Sequence, residues 1–514
     1  MTGATSHPFS ATAAFDGGAL DCGSGLLLLI RQHIDPLAPG ELLEIRSAEP
    51  SVREDLPAWC RMTDNELVSV HDVPGGASFL VCKGKLASRA APAHAARAPV
   101  AAAPITQPIA AVFIPDALPA PAPAPAIAPL SVMGIGSWPR PRWLLDALHA
   151  HLEGQLSDAA FEETADDAVR LAIRAQVGAG VDVVTDGEQR RDNYASFVGA
   201  RLDNCQLVPI TDLLAYVSDP VEFERELRAL DVPAGKVRHP AVFGPLSRRL
   251  PIAVHELEFV RSETDRPVKV ALPGPYLLTR TMWMECVSDR AYENREALAL
   301  DVVRVLREEI FHLLAGGAAL VQIDEPILSE VAFGGSVTGN RTFMCGVLDA
   351  RGDAAAELAF AEGLWQDLCA GLPRERLALH VCRGNWTPDE SVALTGDYRL
   401  LLPTLSRAPV GTLLLELATP RAGELDVLSA LPDDKRIGVG VVNQKRPEVE
   451  PPEVVLARAE RAIALFGKER VLLNPDCGFA TFADNPIASA KLAREMLATL
   501  ATVARTLRAR HGLA

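Results

Sequence analysis

The stretch Leu377-Ala-Leu-His-Val-Cys382 is a short apolar run that ends in a histidine and a cysteine. Its length and composition predict a buried strand. Side chains two apart in a strand point to the same side, so His380 and Cys382 can bind one ion from one face. Glu416 and Cys477 follow two later apolar runs in the same way. One imidazole, two thiolates and a carboxylate are ligands that suit zinc.

Core packing is the alternative explanation for such residues, because buried histidines and cysteines are common in protein interiors. Ligating side chains at the ends of three apolar runs favour a metal site instead. Two thiolates and a carboxylate would more than neutralise a divalent ion, which favours keeping a thiolate nucleophilic over acidifying water. The four residues therefore predict the activation of a thiol substrate.

The composition of the 514 residues excludes some classes of partner. The formal charge is −16, from 50 Lys and Arg against 66 Asp and Glu, and 48% of the residues are hydrophobic. This balance is typical of a globular protein with a sizeable core. Because no basic stripe is interleaved with aromatic residues, we expect no nucleic-acid partner and favour small-molecule substrates.

The cysteines and the N-terminus bear on the cellular location. Nine scattered cysteines, an odd number, do not resemble a disulfide framework and indicate a reducing compartment, so we expect a cytoplasmic protein. The first residues lack a basic stretch followed by an apolar one, and the run Leu26–Ile30 is too short to span a bilayer. We therefore expect neither export nor membrane insertion.

Composition also predicts the domain organisation. Residues 87–129 are rich in Ala and Pro, which favours an extended, semi-rigid linker. The linker separates a small domain, residues 10–86, from a large one, residues 130–514. The small domain alternates strand, helix, strand, helix and two further strands, which predicts a two-layer sandwich of one sheet and two helices.

The large domain repeats apolar strands separated by helical patterns, and this alternation predicts a closed (β/α)8 TIM barrel of the α/β class. The eight predicted strands are Val132–Gly136, Val181–Thr185, Val268–Leu272, Ala319–Ile323, Leu377–Cys382, Leu413–Leu417, Ile437–Val442 and Val471–Leu473. Polar residues follow nearly every one of them. Because the carboxyl ends of barrel strands meet at one mouth, these residues are expected to form a single site.

Six motifs carry a resemblance that runs over about residues 130 to 510. They are Ile135-Gly-Ser-Trp-Pro139, Asp186-Gly-Glu188, Gln322-Ile-Asp-Glu-Pro326, His380-Val-Cys382, Glu416 and Asn474-Pro-Asp-Cys-Gly478. In this order they resemble the catalytic barrel of the cobalamin-independent methionine synthases. The resemblance implies a zinc-dependent methyltransferase that moves a methyl group from methyl-tetrahydrofolate to homocysteine and forms methionine.

The resemblance also implies roles for individual residues. His380, Cys382, Glu416 and Cys477 are the implied zinc ligands. Ile135 and Ser137 would hold the carboxylate of a homocysteine-like thiol, since a backbone N–H and a hydroxyl suit an anion. Glu188 and Asp324 would hold its amino group. Asp324 and Lys445 are the candidate catalytic residues.

The small domain carries a second resemblance. Asp16-Gly-Gly-Ala-Leu-Asp-Cys22 before the first helix and Leu56-Pro-Ala-Trp-Cys60 in the second resemble the TusA family of sulfur carriers. Cys22 is the candidate persulfide carrier, because a helix N-terminus stabilises a thiolate, and a sulfur-relay protein would be its partner. The chain reads Cys22-Gly-Ser-Gly25 where that family has Cys-Pro-x-Pro, so a docking or regulatory domain is the alternative.

Departures from the methionine synthase pattern leave other functions open. We expect no second, N-terminal barrel like that of the long family form, because the linker and the small domain precede the large domain here. Val442–Arg446 lacks the family's histidine, and Trp283 is only near the position of the folate-facing tryptophan. A zinc-dependent transferase with other substrates, such as an epoxide, is one alternative. A sulfur-relay protein and a metal-free decarboxylase barrel are two more. The insertion between Arg190 and Pro267 is interpreted as a lid or as a solvated excursion.

Overall fold

The computed structural model describes residues 6–20, 26–86, 110–209, 238–283, 288, 291–333 and 353–513. The small domain has the element order predicted from its sequence. Its four strands are β1 (Ala13–Asp16), β2 (Leu42–Ser47), β3 (Glu66–Val73) and β4 (Gly76–Cys82), and its helices are Leu27–Ile34 and Val52–Met62. In the sheet the order is β1-β2-β4-β3, with β1 parallel to β2 and the other pairs antiparallel.

Both helices of the small domain pack on one face of this sheet. Leu29, Ile30 and Leu56 from the helices share a buried cluster with Ile45 and Phe79 from the strands. Alternate residues of a strand point to opposite faces, so this apolar face needs a helical layer to remove it from water. The result is a two-layer α/β sandwich.

The large domain is a closed barrel of parallel strands. Six strands lie side by side in chain order: β7 (Lys269–Pro273), β8 (Leu320–Asp324), β9 (Leu377–Val381), β10 (Thr412–Leu415), β11 (Arg436–Val442) and β12 (Val471–Pro475). Isolated parallel bridges close the ring, from Leu473 to Val132, from Met133 to Val183 and from Val184 to Val268. All eight predicted strand positions therefore take their places in order.

The first two strand positions form isolated bridges, and side chains supply part of their backbone hydrogen bonding. Lys269 Nζ donates to the carbonyl oxygens of Gly134 and Ile135 at 2.6 and 2.8 Å. At the second position the amide of Gln176 bonds both the N–H and the carbonyl of Thr185. These backbone groups are satisfied without a regular ladder.

Helices surround the barrel, and polar N-cap side chains begin several of them. The helices are Arg142–Leu152, Asp158–Ala179, Val254–Glu263, Pro275–Met282, Arg295–Ala315, Ile327–Phe333, Ala354–Cys369, Leu402–Arg407, Pro452–Phe466 and Ala490–Arg510. Ser157 accepts a hydrogen bond from Ala160 N, and Asn294 does so from Ala297 N. Such caps satisfy N–H groups that the first helical turn leaves free.

The described part of the Ala/Pro-rich segment, residues 110–129, has no helix or strand and lies against the amino-terminal end of the barrel. Arg376, before β9, donates to Ala122 O at 2.6 Å, and Arg436, at the start of β11, donates to Ile127 O at 3.1 Å. Ile127 also packs against the apolar cluster inside the barrel. This half of the predicted linker is thus held along its length by the barrel.

The insertion between the second and third strands contains a hairpin of β5 (Leu202–Pro209) and β6 (Arg238–Arg248) that contacts the small domain. Gln206 Nε2 donates to Arg31 O at 3.2 Å and to Asp35 Oδ2 at 3.0 Å. Phe243 packs against the small-domain core. The hairpin therefore connects the two domains.

In the part of the chain that the structure covers, no helix has the length and apolar character needed to cross a bilayer.

Candidate metal and amino-acid site

Three ligating side chains meet at the carboxyl ends of the barrel strands. The donor atoms of His380, Cys382 and Cys477 all lie within 4.8 Å of one another, and all three residues are buried. His380 is in β9 and Cys382 comes directly after it, so the strand period places both on one side, as predicted. Cys477 follows β12, which lies three strands away in the sheet. Barrel closure brings the thiols together.

Asp324 orients the imidazole of His380. The two residues are paired in register on β8 and β9, and His380 Nδ1 donates to Asp324 Oδ1 at 2.8 Å. The other ring nitrogen, Nε2, is buried and has no hydrogen-bond partner among the described residues. A metal-bound histidine has this arrangement, with one nitrogen held by a carboxylate and the other free for the ion. The residues present therefore fit a zinc ion.

The charges around the ligands agree with this fit. Burial alone would lower the pKa of His380, but the hydrogen bond and charge of Asp324 outweigh it and raise the pKa. A hydrogen bond with Cys477 lowers the pKa of Cys382 to about 6, and the same bond together with burial raises the pKa of Cys477. A divalent ion bound by both sulfurs would stabilise the thiolate form of each.

Glu416 lies buried beside the thiols, close enough for its charge to act on both. Its Oε2 accepts hydrogen bonds from Arg383 N at 2.9 Å and Asn385 Nδ2 at 2.6 Å. Arg421 Nη2 is 2.7 Å from Oε1, as a charge pair without the alignment of a hydrogen bond. Glu416 is not in the close group of three, so its role as a fourth ligand stays a prediction.

The four predicted substrate-binding residues line the same cleft as the metal-ligand group: Ile135, Ser137, Glu188 and Asp324. Ser137 Oγ accepts a hydrogen bond from Ala480 N at 3.2 Å, which joins the loop after the first strand to the loop after the last. Asp324 therefore both bonds the candidate metal ligand His380 and lines the cleft. The structure brings these residues together, and their individual roles stay predictions.

Glu188 is held in an unusual state. Its φ of 54° lies in the left-handed region, which costs about 1–3 kcal/mol for such a residue and is concentrated at functional sites. Its Oε2 is buried without a hydrogen-bond partner in the described structure. Burial, helped by the charges of Asp324 and Asp186 and opposed by nearby arginines, raises the pKa of Glu188 to about 7. Arg191 Nη1 lies 4.0 Å from the other carboxylate oxygen, Oε1, so the ammonium group of a ligand would be a suitable donor to Oε2.

Glycine at position 136 makes room for that carboxylate. A Cβ atom there would lie 2.0 Å from Glu188 Oε1. The Ile135-Gly-Ser137 motif therefore needs its glycine so that the acid can approach the backbone of the first strand.

Of three other residues considered from the sequence, two lie away from the cleft and one lies outside the described residues. Lys445 Nζ donates to Asp389 O at 3.2 Å, and burial lowers its pKa, but it does not line the cleft. Its charge interacts with Glu416 and Cys477. Trp283 packs against the barrel core instead of lining the cleft. Cys22 lies outside the described residues.

Some residues of the site were missed by sequence reasoning. Asn385 and Trp386 line the cleft just after the His380 motif. Lys269 and Gln322 form hydrogen bonds beneath Asp324. Lys269 did carry a signal, since it is a charged residue inside the apolar run Val268–Leu272. Trp386 had no distinguishing sequence pattern.

Comparison with known proteins places the barrel in a family. Residues 130–500 match the family model described as cobalamin-independent synthase, catalytic domain. A methionine synthase of Saccharolobus solfataricus is 27% identical over 350 residues, covering 67% of this chain and 86% of that protein. A methionine synthase of Sulfurisphaera tokodaii is 27% identical over 345 residues, covering 67% and 84%.

Solved structures agree on the fold. A B12-independent methionine synthase from Shewanella sp. W3-18-1, in complex with selenomethionine, gives a TM-score of 0.55 at 22% identity, covering 75% of this chain and 100% of that chain. A putative vitamin-B12 independent methionine synthase from Listeria monocytogenes gives 0.53 at 17% identity, covering 74% and 99%. Both support a TIM-barrel-like architecture for residues 130 onward.

The family match spans well over half of the chain and contains every described residue of the cleft. The chain therefore belongs to the cobalamin-independent methionine synthase catalytic-domain family and is a methyltransferase.

Proposed function

We propose that this protein transfers a methyl group to the thiol of a homocysteine-like amino acid, with zinc as cofactor and a methyl-folate as the donor, and so forms methionine. The observation that carries the proposal is the common cleft, in which the unpartnered His380 Nε2 and two thiols lie beside groups suited to an amino acid. The names of the relatives, methionine synthases, support the choice of substrate.

The amino-acid end of the substrate would be fixed by charge. Ser137 and the backbone of Ile135 would receive the carboxylate, while Glu188 and Asp324 would receive the ammonium group. Both acids are buried, which strengthens their interaction with a cation relative to water. This positioning would direct the substrate sulfur toward His380, Cys382 and Cys477.

His380, Cys382 and Cys477 would hold the zinc ion, with Glu416 as the proposed fourth ligand. When bound, zinc lowers the proton affinity of a thiol and keeps it as a nucleophilic thiolate. Asp324 keeps Nδ1 of His380 protonated, so that Nε2 presents its lone pair to the ion. Apolar lining residues, among them Ile327 and Trp386, would exclude water from the sulfur.

Fewer residues of the cleft bear on the identity of the methyl donor than on that of the thiol. Trp283 does not line the cleft, and the aromatic residues that do are Tyr194 and Trp386. The second candidate function keeps the metal and the thiol chemistry and changes the substrates, with an epoxide or another alkyl donor. A decarboxylase function gives no account of the His380, Cys382 and Cys477 group.

The direct test is incubation of zinc-loaded protein with methyl-tetrahydrofolate and homocysteine. We expect methionine, measured by mass spectrometry. In the Cys477→Ser variant the rate of methionine formation should fall more than about 100-fold, because this substitution removes a metal ligand itself and not a residue that orients a ligand. Cys369→Ser is the matched control, since Cys369 is a buried free cysteine in a helix of the same barrel. Failure of the zinc-loaded wild type to form methionine would reject this pair of substrates.

The pH dependence tests the role of Glu188. The ionised carboxylate binds an ammonium group and the protonated form does not, so kcat/KM for the amino-acid thiol should fall as the pH drops through about 7. The charged groups that act on Glu188 include Arg191, Asp324, Asp186, Arg140 and Lys269. The Glu188→Gln variant should lose this step in the profile. An unchanged profile in that variant would contradict the assignment.

The small domain is proposed to be a TusA-like sulfur carrier that uses Cys22, with residues 10–86 as its bounds and residues 87–129 as a linker. Its strand and helix order supports this proposal, and its first helix contacts the β5–β6 hairpin of the large domain. A cytoplasmic location is proposed with it, supported by the six described cysteines, none of which forms a disulfide with another.

A labelled persulfide donor tests the carrier proposal on the full chain. We expect the terminal sulfur to move to the thiolate of Cys22, releasing the donor thiol, so that label is retained by the wild type and lost in Cys22→Ser. Cys60→Ser is the control, because Cys60 is buried in the same domain and burial raises its pKa to about 12. Equal labelling of wild type and Cys22→Ser would favour a docking or regulatory role.

A further inference from the structure

Lys269 is a basic side chain enclosed by the barrel, and burial lowers its pKa to about 7 against the opposing charges of Asp324 and Glu188. It begins β7, is 1% exposed, and its Nζ makes three hydrogen bonds, to Gly134 O at 2.6 Å, to Ile135 O at 2.8 Å and to Gln322 Oε1. Placing an ammonium group in a protein interior costs several kcal/mol before its partners are counted. A lysine at this position therefore requires an explanation beyond packing.

One set of bonds runs from Lys269 toward the metal ligands. Gln322 accepts from Lys269 through its oxygen and donates through Nε2 to Asp324 Oδ1 at 2.7 Å. The same Asp324 oxygen accepts from His380 Nδ1 at 2.8 Å. The lysine sets which way the Gln322 amide faces, because only the oxygen can accept from an ammonium group. The amide N–H is thereby directed at the carboxylate that orients His380.

The other set of bonds runs toward the loop after the first strand. Lys269 holds the carbonyl oxygens of Gly134 and Ile135. In a planar trans peptide the N–H points opposite to the carbonyl. Holding Gly134 O therefore fixes the N–H of Ile135 on the side away from the lysine, and Ile135 lines the cleft. This N–H is the group proposed above to receive the substrate carboxylate.

We propose that Lys269 is a positioning residue that couples the two halves of the amino-acid site, holding the anion-binding backbone of Ile135 and, through Gln322, the Asp324–His380 pair. The identity of the amino-acid ligand is taken from the proposed function. The expected effect of Lys269 on metal binding rests on the hydrogen bonds alone. Lys269 touches neither the substrate nor the ion and acts through the groups that do.

Lys435 supplies a matched control. It is also 1% exposed, and its Nζ donates to two backbone carbonyls, Ala408 O at 2.6 Å and Val410 O at 3.2 Å. It precedes β11, at the end of the barrel opposite the cleft. Substitution of either lysine by methionine removes a buried amino group, so the backbone carbonyl oxygens that accepted its hydrogen bonds lose their donor. The difference between the two is the link through Gln322 to the site.

The test measures zinc affinity by competition with a chelator. We expect Lys269→Met to weaken zinc binding by about 10–100-fold, the effect typical of residues that orient a metal ligand, and Lys435→Met to leave it within about threefold. Gln322→Met is the second variant, in case Lys269→Met does not fold, and should weaken zinc binding similarly while sparing the carbonyl contacts. If Lys269→Met and Gln322→Met both bind zinc as tightly as Lys435→Met does, the proposal is overturned.

A second readout tests the link to Ile135. Zinc-loaded proteins are titrated with homocysteine and with 3-sulfanylpropan-1-amine, which lacks the carboxylate. Wild type and Gln322→Met should prefer homocysteine, and Lys269→Met should lose about tenfold of that preference. An undiminished preference in folded Lys269→Met would refute this half of the proposal. A wild type that binds zinc but not homocysteine would count against the proposed function, while the zinc comparison would still decide the role of Lys269.

Discussion

The hydrogen bond between Asp324 and His380 is the interaction on which the site depends. It exists because β8 and β9 are parallel neighbours in a register that places the two residues side by side at the carboxyl ends of their strands. A shift of one residue would turn the imidazole away from the cleft. With this register, one side of the imidazole is occupied by a carboxylate and the other is free, next to two thiols. The chemistry of the site follows from that pairing.

Barrel closure supplies the second constraint. Cys477 follows the last strand and Ser137 the first, yet they belong to one cleft because Leu473 pairs with Val132. Where the first and last strands meet, backbone and side chains must approach each other closely. A Cβ atom at Gly478 would lie 2.2 Å from Ser137 Oγ, and one at Gly136 would meet Glu188. The glycines of both motifs are therefore part of the binding geometry.

Much of this arrangement could be predicted from the sequence, because its signals are local. Apolar runs followed by polar residues indicated the eight strand positions, and the two-residue spacing of His380 and Cys382 indicated a shared face. The role of Lys269 could not be predicted, since its hydrogen bonds join residues that are 53 to 135 positions apart, and without Lys269 the sequence does not show which way the Gln322 amide faces. The hydrogen bonds of Glu416 to Arg383 and Asn385 likewise join residues that are 33 and 31 positions apart. The contact of residues 110–129 with the barrel could not be read from a composition typical of free linkers.

X-ray absorption at the zinc edge is the sharpest test of the ligand set, because it reports the atoms around the ion without assuming a substrate. We expect one zinc per chain with two sulfur neighbours at about 2.3 Å and nitrogen or oxygen neighbours at about 2.0–2.2 Å. Zinc surrounded only by nitrogen and oxygen, or protein that takes up no stoichiometric zinc, would contradict the assignment of His380, Cys382 and Cys477 as its ligands.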